Sequence, residues 1–397
     1  MFEHLQSAPP DPILGLMAQF QRDTREPRID LGVGVYRDDE GRTPIMTAVR
    51  EAEQLRLAQE QTKTYLGMAG DPAYNTAIEQ LVFGDHGVRR DQRIATVQTP
   101  GGTAALRIAA ELIRVSRPGA TVWLSDPSWD NHASVFRAAG LGTAHYPYYD
   151  PGSHGLREDA MLAALARVGK GDVVLLHACC HNPTGVDLTP AMWNEVATLA
   201  AQRGFVPLVD MAYQGLGDGL DEDAHGPRLL ASRLPELLLC TSNSKNFGLY
   251  RERTGAVSVI ATDAAQALTA ASVMLSAVRN LYSMPPAHGA AIVQRILDDD
   301  ALSASWQAEL AQMRGRLQQM RASAVERLQQ AGVARDISFI TRQRGMFSFL
   351  GLTSAQITRL REEFAVYALA SSRINVAGLS ADNIDHFARS VASVLLD

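Results

Sequence analysis

Cysteine is scarce in this 397-residue chain, which holds only Cys179, Cys180 and Cys240. The number is odd and two of the three are adjacent, which argues against a disulfide framework. No Cys-x-x-Cys spacing offers a metal or redox site. The three read as small buried apolar residues in a reducing, cytoplasmic setting, with no metal expected. No stretch approaches the roughly 18 apolar residues of a membrane span. The N-terminus, Met1-Phe2-Glu3-His4, lacks the basic segment and apolar run of a secretory signal. Concentrated basic charge is absent too. The 37 Lys+Arg and 43 Asp+Glu are interspersed and leave a net charge of -6, so neither nucleic acid nor a membrane surface is an expected partner. There is no Gly-x-Gly-x-x-Gly dinucleotide fingerprint and no P-loop, which disfavours a dehydrogenase or a nucleotide hydrolase. No solenoid-length repeat or low-complexity tract is visible.

The chain does hold ample core material, with 46% hydrophobic and 20% charged residues; this is an ordinary globular balance. Its length suggests two or three folding units. The middle alternates apolar runs with helical patterns. Thr121 to Leu124, Asp172 to Leu176, Phe205 to Val209 and Leu237 to Leu239 read as buried strands. Thr103 to Val115 reads as a helix with Leu106, Ala109, Ala110 and Ile113 on one stripe. Pro190 to Arg203 reads as another, N-capped by Thr189. Such alternation implies an α/β fold with a mostly parallel sheet covered on both faces. Residues 263 to 332 form long helical patterns broken at Pro285-Pro286. Beyond them, Asp336 to Ile340 and Met346 to Phe349 alternate like strands, followed by helices near 354–364 and 380–396. The last third thus reads as a smaller α+β domain joined by a long helix.

Four turns after strands carry chemistry. Ser242-Asn243-Ser244-Lys245 places a lysine just past a buried strand, with small hydroxyls before it and Arg253 eight residues on. A lysine amine that attacks a carbonyl, beside hydroxyls and an arginine that hold a phosphate, suits Schiff-base chemistry. Gly101-Gly102-Thr103 opens a helix, where backbone amides and the helix dipole favour an anion. Asn182-Pro183 offers a side-chain donor beside a candidate cis peptide bond. Asp210, three residues before Tyr213, ends another strand. A mostly dry carboxylate needs a positive partner, and a protonated pyridine nitrogen is one. Taken singly, these four are also an exposed polar turn, a glycine cap, an ordinary turn and a helix N-cap. Together they meet the needs of one cofactor, an aldehyde-bearing pyridine phosphate.

Here the residues resemble the aspartate aminotransferase family of fold-type I pyridoxal-phosphate enzymes. The likeness runs through Asp11-Pro12-Ile13-Leu14-Gly15-Leu16, Leu31-Gly32-Val33-Gly34-Val35-Tyr36, Thr64-Tyr65-Leu66-Gly67 and Pro127-Ser128-Trp129. It continues through His181-Asn182-Pro183-Thr184-Gly185, Ser244-Lys245-Asn246-Phe247-Gly248, Ser283-Met284-Pro285-Pro286 and Ser372-Arg373-Ile374-Asn375. The subgroup resembled is that of the bacterial aspartate and aromatic-amino-acid aminotransferases. The resemblance implies catalytic roles for Lys245, Asp210 and Tyr213. Lys245 would carry pyridoxal 5'-phosphate as a Schiff base and shuttle the substrate α-proton. Asp210, supported by His132, would pair with the ring nitrogen. Tyr213 and Asn182 would bond the ring oxygen, and Trp129 would stack on the ring. Gly102, Thr103, Ser242, Ser244 and Arg253 would hold the phosphate, joined by Tyr65 of the partner subunit. Arg373 would grip the substrate α-carboxylate, and Arg279 of the other subunit its side-chain carboxylate. Gly34, Trp129 and Asn182 would line the substrate pocket. A homodimer with shared sites follows from the two crossed roles. The resemblance implies a cofactor domain over residues 44–312, a small domain over 15–43 plus 313–397, and an N-terminal arm, 1–14, packing on the partner.

The implied reaction is transamination between aspartate or aromatic amino acids and 2-oxoglutarate, with an aromatic preference as the alternative. Val35, Arg37 and Thr103 look like the aspartate type. Met284 stands where a small polar residue is expected, and Asp130 where a proline is usual. A pyridoxal-phosphate lyase or decarboxylase shares Lys245 and Asp210, but the paired Arg279 and Arg373 favour transfer. A non-catalytic pyridoxal-phosphate sensor would need an added binding module, which the whole-length resemblance leaves no room for.

Overall fold

A computed structural model of the chain describes residues 1–7 and 12–395. Residues 8–11 of the expected arm, 1–14, lie outside the described residues, as do 396 and 397. The chain forms two compact units. One combines Met1–Thr43, Leu317–Arg342 and Met346–Asp397; the other is Pro44–Arg316 with Gln343–Gly345. The division falls inside the 31-residue helix Asp300–Gln330.

The larger unit is built on seven strands: β1 Ile94–Pro100, β2 Thr121–Asp126, β3 Gly142–Pro147, β4 Val173–His177, β5 Val206–Met211, β6 Leu237–Ser242 and β7 Thr254–Ile260. Their order across the sheet is β1-β7-β6-β5-β4-β2-β3. From β6 to β3 every pairing is parallel, while β7 runs against both β1 and β6. The carboxyl ends of β1, β2, β4, β5 and β6 therefore meet at one edge, together with the start of β7. The chain steps outward from β2 to β3, then returns to β4 and proceeds the other way. That reversal makes a crevice where α/β sheets bind ligands. The inner strands are dry on both faces, as the continuous apolar runs of β4 (Val173–His177) and β6 (Leu237–Ser242) require.

Helices cover the two faces. The helix Gly101–Ser116 buries Leu106, Ala109, Ala110 and Ile113 against the sheet, the stripe read from sequence. In the helix Pro190–Arg203, Thr189 accepts the capping hydrogen bond from the Met192 amide at 3.2 Å. The helical stretch after residue 263 is broken twice, giving Ala264–Leu281, Ala287–Asp298 and Asp300–Gln330. The first break is at Pro285-Pro286. The second is at Asp299, an extended residue whose carboxylate accepts from the Ala301 and Leu302 amides.

The smaller unit holds the helices Pro12–Arg22, Ser354–Phe364 and Ile384–Leu395 with two short sheets. Ile29–Asp30 pairs parallel with Val366–Tyr367, and Phe347–Phe349 antiparallel with Arg373–Asn375. One expectation fails here, because Asp336 to Ile340 is not a strand. Asp336 turns the chain by accepting the Ser338 amide at 2.8 Å, and a short helix, Phe339–Arg342, follows. Alternation in this segment comes from burying Ile337, Phe339 and Ile340 through a turn, which imitates period two over five residues.

Candidate active site

Strand β6 runs three residues longer than its apolar core suggests, so Ser242 ends the strand and Lys245 sits on the turn beyond. The Lys245 ammonium lies 4.9 Å from the centre of the buried Tyr213 ring. Desolvation lowers its pKa to about 8; Asp210 opposes that shift and Arg253 adds to it. A useful fraction of this amine is thus neutral, and so nucleophilic and basic, near neutral pH.

Asp210 lies within β5 beside the strand-end residue His177 of β4, its partner in register. Its Oδ2 receives His132 Nε2 at 3.0 Å. Burial alone would raise the Asp210 carboxyl, but the hydrogen bond and charge of His132, with the charge of Lys245, outweigh it. The carboxyl stays below its ordinary range. The opposite nitrogen of His132 is 2.9 Å from Ser128 Oγ, which lies 3.3 Å from His177 Nε2. Desolvation and the neighbouring His132 push His177 down to about 3, so it remains neutral and accepts or donates without adding charge. Sequence reasoning gave no role to Ser128 or His177. Their signal was a polar residue at the end of a buried strand, facing another such residue one strand away.

The anion cradle is assembled from both sides of the β1–β7–β6 group. Gly101 has φ +78°, and a Cβ there would stand 2.6 Å from Arg253 Nη2. At Gly102 a Cβ would stand 3.1 Å from that of Ser242. Thr103 follows in the first turn of the helix. Ser242 Oγ and Ser244 Oγ are 3.2 Å apart, and Arg253 Nη1 donates to Ser244 Oγ at 3.3 Å. Free amides at a helix start, two hydroxyls and one guanidinium form a site for a phosphate-sized anion.

The remaining expected residues fall into three groups. Asn182 is buried and begins a cis bond to Pro183, as the sequence suggested. Trp129 is half-buried, edge-on to His132 with ring centres 5.1 Å apart. In the smaller unit, Arg373 donates to the Gly32 carbonyl at 2.8 Å and lies 4.4 Å over the Phe347 ring. Gly34 faces that same ring, where a Cβ would meet Phe347 Cζ at 3.0 Å. Tyr65 is 89% exposed and Arg279 is exposed as well. Arg279 donates to Ser283 Oγ at 2.6 Å. Neither hydrogen-bonds the Lys245 group among the described residues. Arg37 is held within its own unit by an ion pair to Asp30 at 2.5 Å. Asp130 occupies the N-cap of the helix Asn131–Ala138 in helical geometry and makes no side-chain cap.

The arrangement presents a buried amine, a charged carboxylate held ready for a cationic nitrogen, an aromatic wall and an anion cradle along one strand-end crevice. The chain belongs to the aminotransferases of class I and II, whose family model matches residues 26–391. It is 51% identical over 396 residues to an aspartate aminotransferase of Salmonella typhi, with 100% of each chain covered. It is 47% identical to an aromatic-amino-acid aminotransferase of Pseudomonas aeruginosa over 397 residues, covering 100% of this chain and 99% of the other. Among solved structures, the aromatic-amino-acid aminotransferase of Burkholderia pseudomallei, covalently bound to pyridoxal phosphate, superposes with a TM-score of 0.98. That pair is 46% identical, covering 100% of this chain and 99% of the other. No helix among the described residues is long and apolar enough to cross a membrane.

Proposed function

We propose that this aminotransferase moves the amino group of L-aspartate, and of aromatic amino acids, to 2-oxoglutarate, with pyridoxal 5'-phosphate bound through Lys245. The observation that carries the reading is the Lys245–Asp210–His132 arrangement: an amine with pKa about 8 beside a carboxylate held charged by a histidine. When bound, the cofactor supplies an aldehyde for amine capture and an electron-withdrawing ring that stabilises negative charge at the substrate α-carbon. Asp210 would hold the ring nitrogen protonated. Tyr213 and Asn182 would bond the ring oxygen, and Trp129 would cover one ring face. Gly102, Thr103, Ser242, Ser244 and Arg253 would hold the phosphate. The Lys245 amine would take the proton from the substrate α-carbon and return it at the carbon that was the cofactor's aldehyde, across the intervening nitrogen. Arg373 presents a guanidinium fork suited to an α-carboxylate.

In this reading the enzyme is a cytoplasmic homodimer whose N-terminal arm packs on its partner. Exposed Tyr65 and Arg279 then serve the partner's site, contacting the phosphate and the substrate's side-chain carboxylate. A second reading, with aromatic amino acids as the main substrates, is supported by Met284. Its longer apolar side chain follows Ser283, the residue that holds Arg279, and favours a hydrophobic substrate by about 1–3 kcal/mol.

The test is a half-reaction followed by absorbance. The holoenzyme is mixed with aspartate, and separately with phenylalanine, without any oxo acid. Loss of the cofactor's visible band in both mixtures is expected, faster with aspartate. No change with either amino acid would refute the proposal, and a faster change with phenylalanine would support the second reading.

A further inference from the structure

Two helices that carry proposed site residues both reach, at their other ends, a cavity that none of those residues uses. The helix Gly101–Ser116 begins at the anion cradle and ends with Ile113 and Ser116 at the cavity; the helix Ala264–Leu281 carries Arg279 in its last turn and lines the cavity with Gln266, Thr269, Ala270 and Val273. The cavity measures about 300 Å³, within the range of small-molecule sites. Its wall includes the first residues of β4 and β6, Val173 and Leu237, and the end of antiparallel β7. It therefore lies at the opposite edge of the sheet from Lys245. The six-residue strand β6 between them is roughly 20 Å long, at about 3.3 Å per strand residue.

The floor is hydrocarbon, and the rim carries one charge of each sign. Arg117 and Glu236 both line the cavity and both are exposed. Neither makes a side-chain hydrogen bond or an ion pair among the described residues, not even with the other. The Arg117 side chain lies across Gly171 (φ +83°), where a Cβ would stand 3.4 Å from its Nε.

We propose that this cavity binds an apolar α-amino acid, as a site separate from the one that carries Lys245. The hydrocarbon side chain would rest on Val173, Leu237 and Val273, the carboxylate would face Arg117, and the ammonium Glu236. A simple carboxylate would leave its charge beside Glu236, and a simple amine would face Arg117; a zwitterion with an apolar body satisfies both. Such a ligand would press on two helices whose far ends hold the phosphate cradle and Arg279, and so would bias the distant site through rigid elements. Within the 16-residue helix Gly101–Ser116 that path is about 24 Å, at 1.5 Å per residue.

The proposal does not rest on the substrate reading above, and its test separates the two. Holoenzyme is dialysed to equilibrium against radiolabelled α-methylphenylalanine, whose α-carbon bears no hydrogen for transamination to remove. Wild type is expected to bind one equivalent per chain more than Val273→Trp, which fills the cavity. Arg117→Glu, on the exposed rim, should weaken that extra equivalent at least tenfold while the chain folds normally. At ligand concentrations that saturate the Lys245 site, its one equivalent is common to all three proteins and cancels, whatever the coupling between the two sites. Equal uptake by wild type and both variants overturns the proposal. Loss of the shared equivalent alone would count against the substrate reading and not against the cavity.

Discussion

Replacing Lys245 with methionine should stabilise the cofactor-free protein, by an amount that depends on pH in a calculable way. The folded environment moves this amine from 10.5 to about 8. At about 1.4 kcal/mol per pH unit, holding it as an ammonium costs roughly 3 kcal/mol. The folded chain gives up this proton before the unfolded chain does. Between pH 8 and 10.5 the unfolded state therefore binds more protons, and stability rises with pH. The penalty is whole below about 8 and has vanished above 10.5. Methionine has similar length and no charge, so it removes the penalty while filling the space. Lys245→Met should be more stable than wild type by roughly 3 kcal/mol at pH 7, about 2 at pH 9 and about 1 at pH 10. Urea unfolding of both proteins, freed of cofactor, reads the difference directly. Other titrating groups are common to the pair and drop out. A difference that stays flat from pH 7 to pH 10, or a variant less stable than wild type at pH 7, would refute the desolvation argument.

Three further outcomes are expected. Arg279→Leu should lose aspartate turnover far more than phenylalanine turnover, by 10²-fold or so against less than about tenfold; equal losses in kcat/KM would contradict its assigned role. Asp210→Asn keeps the shape and removes the charge, so kcat should fall roughly 10²–10³-fold, with the cofactor still bound when followed by absorbance. Gly101→Ala puts a methyl group 2.6 Å from Arg253 Nη2 at φ +78°. It should cost at least about 1 kcal/mol of stability and weaken cofactor retention, measured by dialysis of the holoenzyme; unchanged retention would show that Arg253 does not grip the phosphate.

The sheet was legible because its central strands are buried on both faces and so read as uninterrupted apolar runs. Lys245, Asp210 and Asn182 were legible for a related reason, as polar residues placed where such a run stops. The end of that strand was harder: the apolar run stops at Leu239, three residues before the backbone ladder ends at Ser242. The Ser128–His177 link could not be read locally, because it depends on which strand lies beside which. Residues 128 and 177 are far apart in the chain and meet only through the return from β3 to β4. The segment from Asp336 misled because a turn stabilised by a side chain can bury alternate residues as a strand does. The two opposite charges at the rim of the distant cavity left no trace in sequence, since Arg117 and Glu236 lie in separate loops.

The reversed direction of β7 has a consequence for how the molecule comes together. Because β7 runs against β6, the amine and the guanidinium enter the site on a single hairpin, with register Gly255↔Ser242. Bringing them side by side requires closing only a short loop, a small entropic cost. Asp210 reaches the same place only after a helical crossover has packed. In a refolding chain, closing that short loop to join Ser242, Ser244 and Arg253 costs less entropy than docking the carboxylate opposite them. An early intermediate with β6 and β7 paired would already possess a phosphate grip, and inorganic phosphate should speed refolding before any catalytic competence returns.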